Sequence, residues 1–164
     1  MSQVTTEKTK VKVGLSDEAV YAVTKHLNQY LADLHVFYGK LHNFHWNIEG
    51  PSFYTLHERI EELYDGVAEE IDEVAERILK LGRRPLARLE DYVKVSNLKE
   101  IESRGYTGTE VADELIADFK TLIAGLRETI SVAGDQGDEG TADDAVGMLK
   151  DKEKALWMIT AYRG

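Results

Sequence analysis

HNFHWNIEGPSFYTLHERIEELYDGVAEEIDEVAERILKLG, from His42 to Gly82, decides how the rest of the chain is read. It sets two histidines, His45 and His57, twelve residues apart and follows them with a long acidic helical pattern. At about 100° per residue, Glu61, Asp72 and Glu76 fall roughly 40°, 60° and 100° around the helix axis from His57. The apolar positions Leu56, Ile60, Leu63, Val67, Ile71, Val74 and Ile78 gather near about −80° by the same count. The helix therefore carries a core stripe and, beside it, a face of histidine and carboxylates. That mixed nitrogen and oxygen set suits a transition metal such as iron. Unpaired carboxylates on the flank of a packing stripe are costly, which favours ligands over a merely solvated acidic face.

The rise along the same helix adds a constraint. His57 and Asp72 are fifteen residues apart, so their Cα atoms lie roughly 22 Å from each other. Bonds of about 2.0–2.2 Å to imidazole or carboxylate cannot span that distance. Two copies of the helix, antiparallel about a two-fold axis, bring His57 of one to Asp72 and Glu76 of the other and make two identical sites. A metal site built from these residues is expected to be a property of a dimer.

The flanking sequence supplies the bundle. The 164 residues suit one domain with a proper core. Residues 1–14 read as a flexible tail in which Lys8, Lys10 and Lys12 outweigh Glu7, and residues 15–164 as a single helical domain. Ser16 or Asp17 can cap a first helix whose apolar positions run from Val20 to Leu41, and Gly50-Pro51 cannot continue it. The second helix spans about Ser52 to Leu81 and stops at Gly82. Between Gly82 and Tyr106 the periodicity lapses, and a short helix within Leu89–Ile101 is expected in so long a connection. Thr107 to Glu110 form a capping box for the third long helix, ended by Gly134, and Thr141-Ala-Asp-Asp144 opens the fourth. With no strand pattern, the fold class is all-α: a four-helix bundle with a short extra helix in its long connection.

Composition narrows the function classes. A formal charge of −10 disfavours a general polyanion-binding surface. The absence of cysteine excludes disulfides and thiol catalysis and suits contact with peroxide. The opening MSQVTTEKTKVKVG has no apolar h-region and no run reaches transmembrane length, so a cytoplasmic protein without membrane contact is expected. An iron centre inside the bundle would use Glu-x-x-His on its helices. The residues three before the five histidines are Val23, Ala32, Gly39, His42 and Tyr54, so that motif is missing. There is no phosphate-binding glycine loop. His26, His35 and His42 have no matching carboxylate set and read as structural.

The order HW, GPxF, LHE, a tyrosine, IDxxAER and LG resembles the signature region of the Dps family, the miniferritins or DNA-binding proteins from starved cells. Weaker similarity runs from about Val20 to the end, through TADDAVGMLKDKEKALWMI. The resemblance implies a ferritin-like bundle and an iron-storing ferroxidase. In it, inter-subunit mono- or di-iron sites oxidise Fe(II) with hydrogen peroxide, and ferric mineral is held in a hollow homododecamer that protects against oxidative stress. By position it implies His45, His57, Asp72 and Glu76 as catalytic iron ligands, Glu61 as a ligand to a second iron, and Trp46 beside the site. It also implies that Asp138 and Asp143 line three-fold pores that draw Fe(II) inward, although Gly147 stands where the family often continues that acidic stripe. The alternative is a nucleoid-compacting DNA-binding protein whose iron chemistry is secondary. Its support is the three tail lysines, and DNA binding is expected to be weak.

Overall fold

The computed structural model describes residues 6–164. Helix α1 covers Asp17–Asn47, α2 Phe53–Lys80, α3 Leu89–Val95, α4 Gly108–Asp135 and α5 Glu139–Arg163. The four long helices pack around large buried side chains, among them Tyr30, Phe37, Phe44 and Phe119. Truncating one such aromatic costs about 3–5 kcal/mol, through lost transfer energy plus the cavity left behind.

Local chemistry sets the helix ends. The Ser16 hydroxyl accepts from the Ala19 N–H at 3.1 Å, satisfying one orphan donor of α1. At the far end of α2, Gly82 adopts φ +87°. The Arg83 and Gly82 N–H groups donate back to the Ile78 and Leu79 carbonyls, the paired bonds of a Schellman cap. The Thr107–Glu110 capping box is formed in both directions. Two boundaries differ from the sequence reading. Helix α4 runs through Gly134, and the left-handed residue that ends it is Gly137, at φ +70°. Helix α5 then begins earlier than Thr141, because Asp138 is its cap and accepts from the Thr141 N–H at 3.1 Å.

The long connection is tied down by buried polar side chains of α1. Asn28 accepts from the Leu86 N–H at 2.8 Å, and Asp33 accepts from the Asn97 N–H at 2.6 Å and the Ser96 hydroxyl at 3.0 Å. A strand pair missing from the sequence reading also forms. Strand β1 (Ile48–Glu49) runs parallel to β2 (Tyr106–Thr107), with Ile48 opposite Tyr106. Two residues are too few to show an alternating pattern. Since β1 leads into α2 and β2 into α4, the parallel pairing starts both helices from the same end of the bundle.

Residues 6–12, expected to be a flexible tail, form a strap. Thr9 donates to the Gly82 carbonyl and Arg84 to the Glu7 carbonyl, both at 2.9 Å. Lys8 and Lys12 reach Asp17 at 2.6 and 3.0 Å. Gly82 and Arg84 lie far off in sequence from the strap, where local pattern carries no signal. Of the expected tail, residues 1–5 lie outside the described residues.

Candidate metal centre

The corner between α1 and α2 builds the centre. His45 lies in the last turn of α1 and is buried; His57 lies in the first turn and a half of α2 and is half-buried. Each ring reaches the other residue's backbone. The Nδ1–H of His57 donates to the His45 carbonyl at 2.8 Å, and that of His45 donates to the His57 carbonyl at 2.9 Å. The first bond satisfies one of the carbonyls that a helix C-terminus leaves without a partner. A carbonyl only accepts, so both Nδ1 atoms carry a proton, and in the neutral tautomer that this selects the lone pair lies on Nε2. Tautomer and ring orientation are thus set by the backbone before any cation arrives.

The surrounding rings hold that arrangement. The two imidazoles stack at 3.7 Å and 19°. Phe53 lies over His57 at 4.9 Å, and Tyr64 meets His45 edge-on at 5.3 Å. Glu61, one turn after His57, completes the set: one ligand atom from each of His45, His57 and Glu61 lies within 4.8 Å of the others. Two imidazoles and one carboxylate with open positions form a donor set suited to Fe(II). The structure therefore seats Glu61 beside both histidines.

Asp72 and Glu76 are not brought to this corner. Both lie further along α2 and are exposed, with Glu76 only 3.6 Å from Lys80 on the next turn. Asp138 and Asp143 part company. Asp138 is buried, capping α5 and held by the Arg77 guanidinium at 2.6 Å, while Asp143 is exposed. Arg77 also donates to the Thr141 hydroxyl at 2.8 Å, so Asp138 is engaged at the α4–α5 corner. Trp46 is 70% exposed beside the histidine corner and tilts against His42 at 5.3 Å.

The bundle interior is occupied by ammonium groups. Lys40 Nζ lies 2.7 Å from Asp118 and 3.1 Å from Glu114. Lys152 pairs with Glu70, whose other oxygen accepts from the Tyr30 hydroxyl. A cation placed among them would meet like charge, which agrees with the missing Glu-x-x-His pattern.

Comparison with known proteins fits this layout. Residues 24–164 match the family described as a ferritin-like domain. The chain is 43% identical over 149 residues to the DNA protection during starvation protein of Porphyromonas gingivalis, covering 91% of this chain and 93% of that one. It belongs to the Dps family. A Bacillus anthracis relative, DNA protection during starvation protein 2, is 39% identical over 136 residues, 83% of this chain and 92% of its own. The crystal structure of the Dps protein of Vibrio cholerae O1, described as a member of a broad superfamily of ferritin-like diiron-carboxylate proteins, superposes with a TM-score of 0.90 at 33% identity. That match covers 98% of this Dps-family chain and 99% of the Vibrio chain. Among the described residues no helix is long and apolar enough to cross a membrane.

The sequence reading used Tyr64 and Phe53 as pattern positions but gave neither a place at the site, although both wall the histidines, and it set His42 aside although it stacks on Tyr64 at 4.1 Å. The signal for Tyr64 was present: seven residues after His57, it lies roughly 20° from it around the helix.

Proposed function

We propose that the chain is a ferroxidase that stores iron as ferric mineral inside a closed homo-oligomer. The observation that carries this reading is the reciprocal pair of backbone bonds at His45 and His57, which leaves two imidazole lone pairs beside the Glu61 carboxylate. Fe(II) binds there as substrate, and Asp72 with Glu76 from a second copy completes the coordination across a two-fold axis. Carboxylates stabilise the ferric product more than the ferrous ion because its charge is higher. Hydrogen peroxide is the oxidant: two Fe(II) give two electrons, the O–O bond breaks, and two waters form with two protons from solvent. Disposing of both reagents together suppresses hydroxyl radical, in keeping with relatives named for DNA protection during starvation. The shell is a dodecamer, and the exposed Asp143 faces its iron entry.

A nucleoid-compacting role has less support. Lys8 and Lys12 both contact Asp17, and the Lys8 ammonium above all holds that carboxyl at about 2, so the anion that occupies them persists at any physiological pH.

The test is anaerobic titration of Fe(II) followed by peroxide. The chain should consume one peroxide per two Fe(II) while His45→Ala binds and oxidises little. Equal Fe(II) binding and oxidation by His45→Ala would overturn the assignment.

A further inference from the structure

Of the two carboxylates proposed to cross to a neighbouring copy, Glu76 arrives with a cation of its own. Lys80 sits one turn on, about 6 Å further along the same face of α2, and its Nζ lies 3.6 Å from Glu76 Oε2. The last turn of α2 carries a second cation, Arg77, but helix α5 draws it elsewhere. The Arg77 guanidinium meets Asp138 at 2.6 Å and the Thr141 hydroxyl at 2.8 Å. Gly140 makes room for it there, since a Cβ at that residue would stand 2.8 Å from Arg77 Nη2. Lys80 is left to face Glu76 at the rim of a cleft that Glu73 and Asp144 also line. Both partners are exposed, 63% and 57%, so the ammonium can swing away on its flexible stem without stranding a buried charge.

We propose that Lys80 competes with the metal for Glu76, so that the site gains its last carboxylate only when the ammonium lets go. This rests on the shared-site reading above, in which Glu76 reaches a neighbour's histidines. Lys80 touches a ligand and not the ion, so it acts through Glu76. His57 and Lys80 are twenty-three residues apart on one helix, roughly 34 Å. Each Lys80 therefore tunes the neighbour's site and not the histidine corner of its own chain. An exposed ion pair at this spacing alone makes about a twofold competition. An ammonium held near a doubly charged ion adds repulsion, about twice that between unit charges at the same distance. Together the two effects should weaken divalent-cation binding about three- to tenfold. The two imidazoles and Glu61 keep their full donor strength, so the ion is still captured but is held as a passing substrate.

The experiment is a Co(II) titration of the assembled full chain at fixed salt and without peroxide, followed by visible d–d absorption. The part of the signal that His45→Ala loses reports the site. Lys80→Met should bind Co(II) about three- to tenfold more tightly than wild type, while Lys80→Arg, which keeps the charge, should match wild type. Glu76→Gln should bind more weakly. Adding Lys80→Met to Glu76→Gln should then gain less than Lys80→Met gains alone, because only the repulsion is left to relieve. Three results would overturn the proposal and leave the shared site standing: no tightening in Lys80→Met, the same tightening in Lys80→Arg, or an equal gain with and without the Glu76 carboxylate. Wild-type affinity in Glu76→Gln would sink the shared-site reading and this inference with it.

Discussion

Glu70→Ala tests the ionic bridge that spans the bundle. Glu70 and Lys152 face each other from α2 and α5, 8% and 7% exposed, and Tyr30, 2% exposed, donates to the remaining carboxylate oxygen. Deleting the carboxylate strands an ammonium and a phenol away from water. Removing one partner of such a pair costs about 3–5 kcal/mol. At about 2–4 °C per kcal/mol for a chain of this size, melting should fall by about 6–20 °C. Tyr30→Phe, which deletes one hydrogen bond to a charged acceptor, should cost about 1.5–3 kcal/mol. The triple variant Tyr30→Phe, Glu70→Leu and Lys152→Met should return near wild type, since replacing both charges and the phenol removes the desolvation cost together with the attraction. Calorimetry at a single protein concentration is the assay, because association itself raises the melting temperature. A Glu70→Ala chain melting within about 2 °C of wild type, less than one kcal/mol would produce, would refute the reasoning.

Acid should loosen the start of α4. The Thr107 N–H, then its hydroxyl and Arg104, hold the Glu110 carboxyl at about 2. A carboxyl lowered in the folded state stabilises it fully above the ordinary carboxylate range and loses that contribution as pH falls toward about 2. Glu110→Gln should flatten this limb of the stability-against-pH curve; an unchanged slope from pH 4.5 down to 2 would contradict it. At physiological salt a gel shift with duplex DNA should be absent, since a chain of −10 opposes the phosphates. A clear shift that vanishes on deleting residues 1–13 would reverse that expectation.

Legibility in the sequence followed the range of the interactions. The stripes of α1, α2 and α4, the Ser16 and Thr107 caps and the Gly82 stop depend on neighbours within a turn, and each is where the pattern puts it. At the α4–α5 corner two glycines and two capping residues compete within eight positions. Only the positive φ of Gly137 and the Asp138 bond to Thr141 decide between them. The strap of residues 6–12 and the β1–β2 pair depend on backbone partners far away, and no side-chain period announces them. Lys40 and Lys152 sit buried where a stripe rule expects apolar residues. In the metal centre, His57 and Glu61 were readable as one turn of one face. The reciprocal histidine bonds were not, because they depend on how residues 48–52 fold the two helices back on each other.

The shared site is tested most directly by complementation between chains. His57→Ala and Asp72→Ala should each oxidise Fe(II) poorly when assembled alone. In a mixed two-fold pair, one site inherits both defects and the other keeps every ligand. With equal amounts and random pairing, about half of the pairs are mixed, so about a quarter of all sites should recover. The measurement is ferric absorbance after Fe(II) and peroxide, on variants refolded separately and together, with mixed assembly proven by mass spectrometry. Recovery near that fraction is the outcome expected if Asp72 crosses to its neighbour's histidines. No recovery in proven mixed assemblies would contradict the shared site.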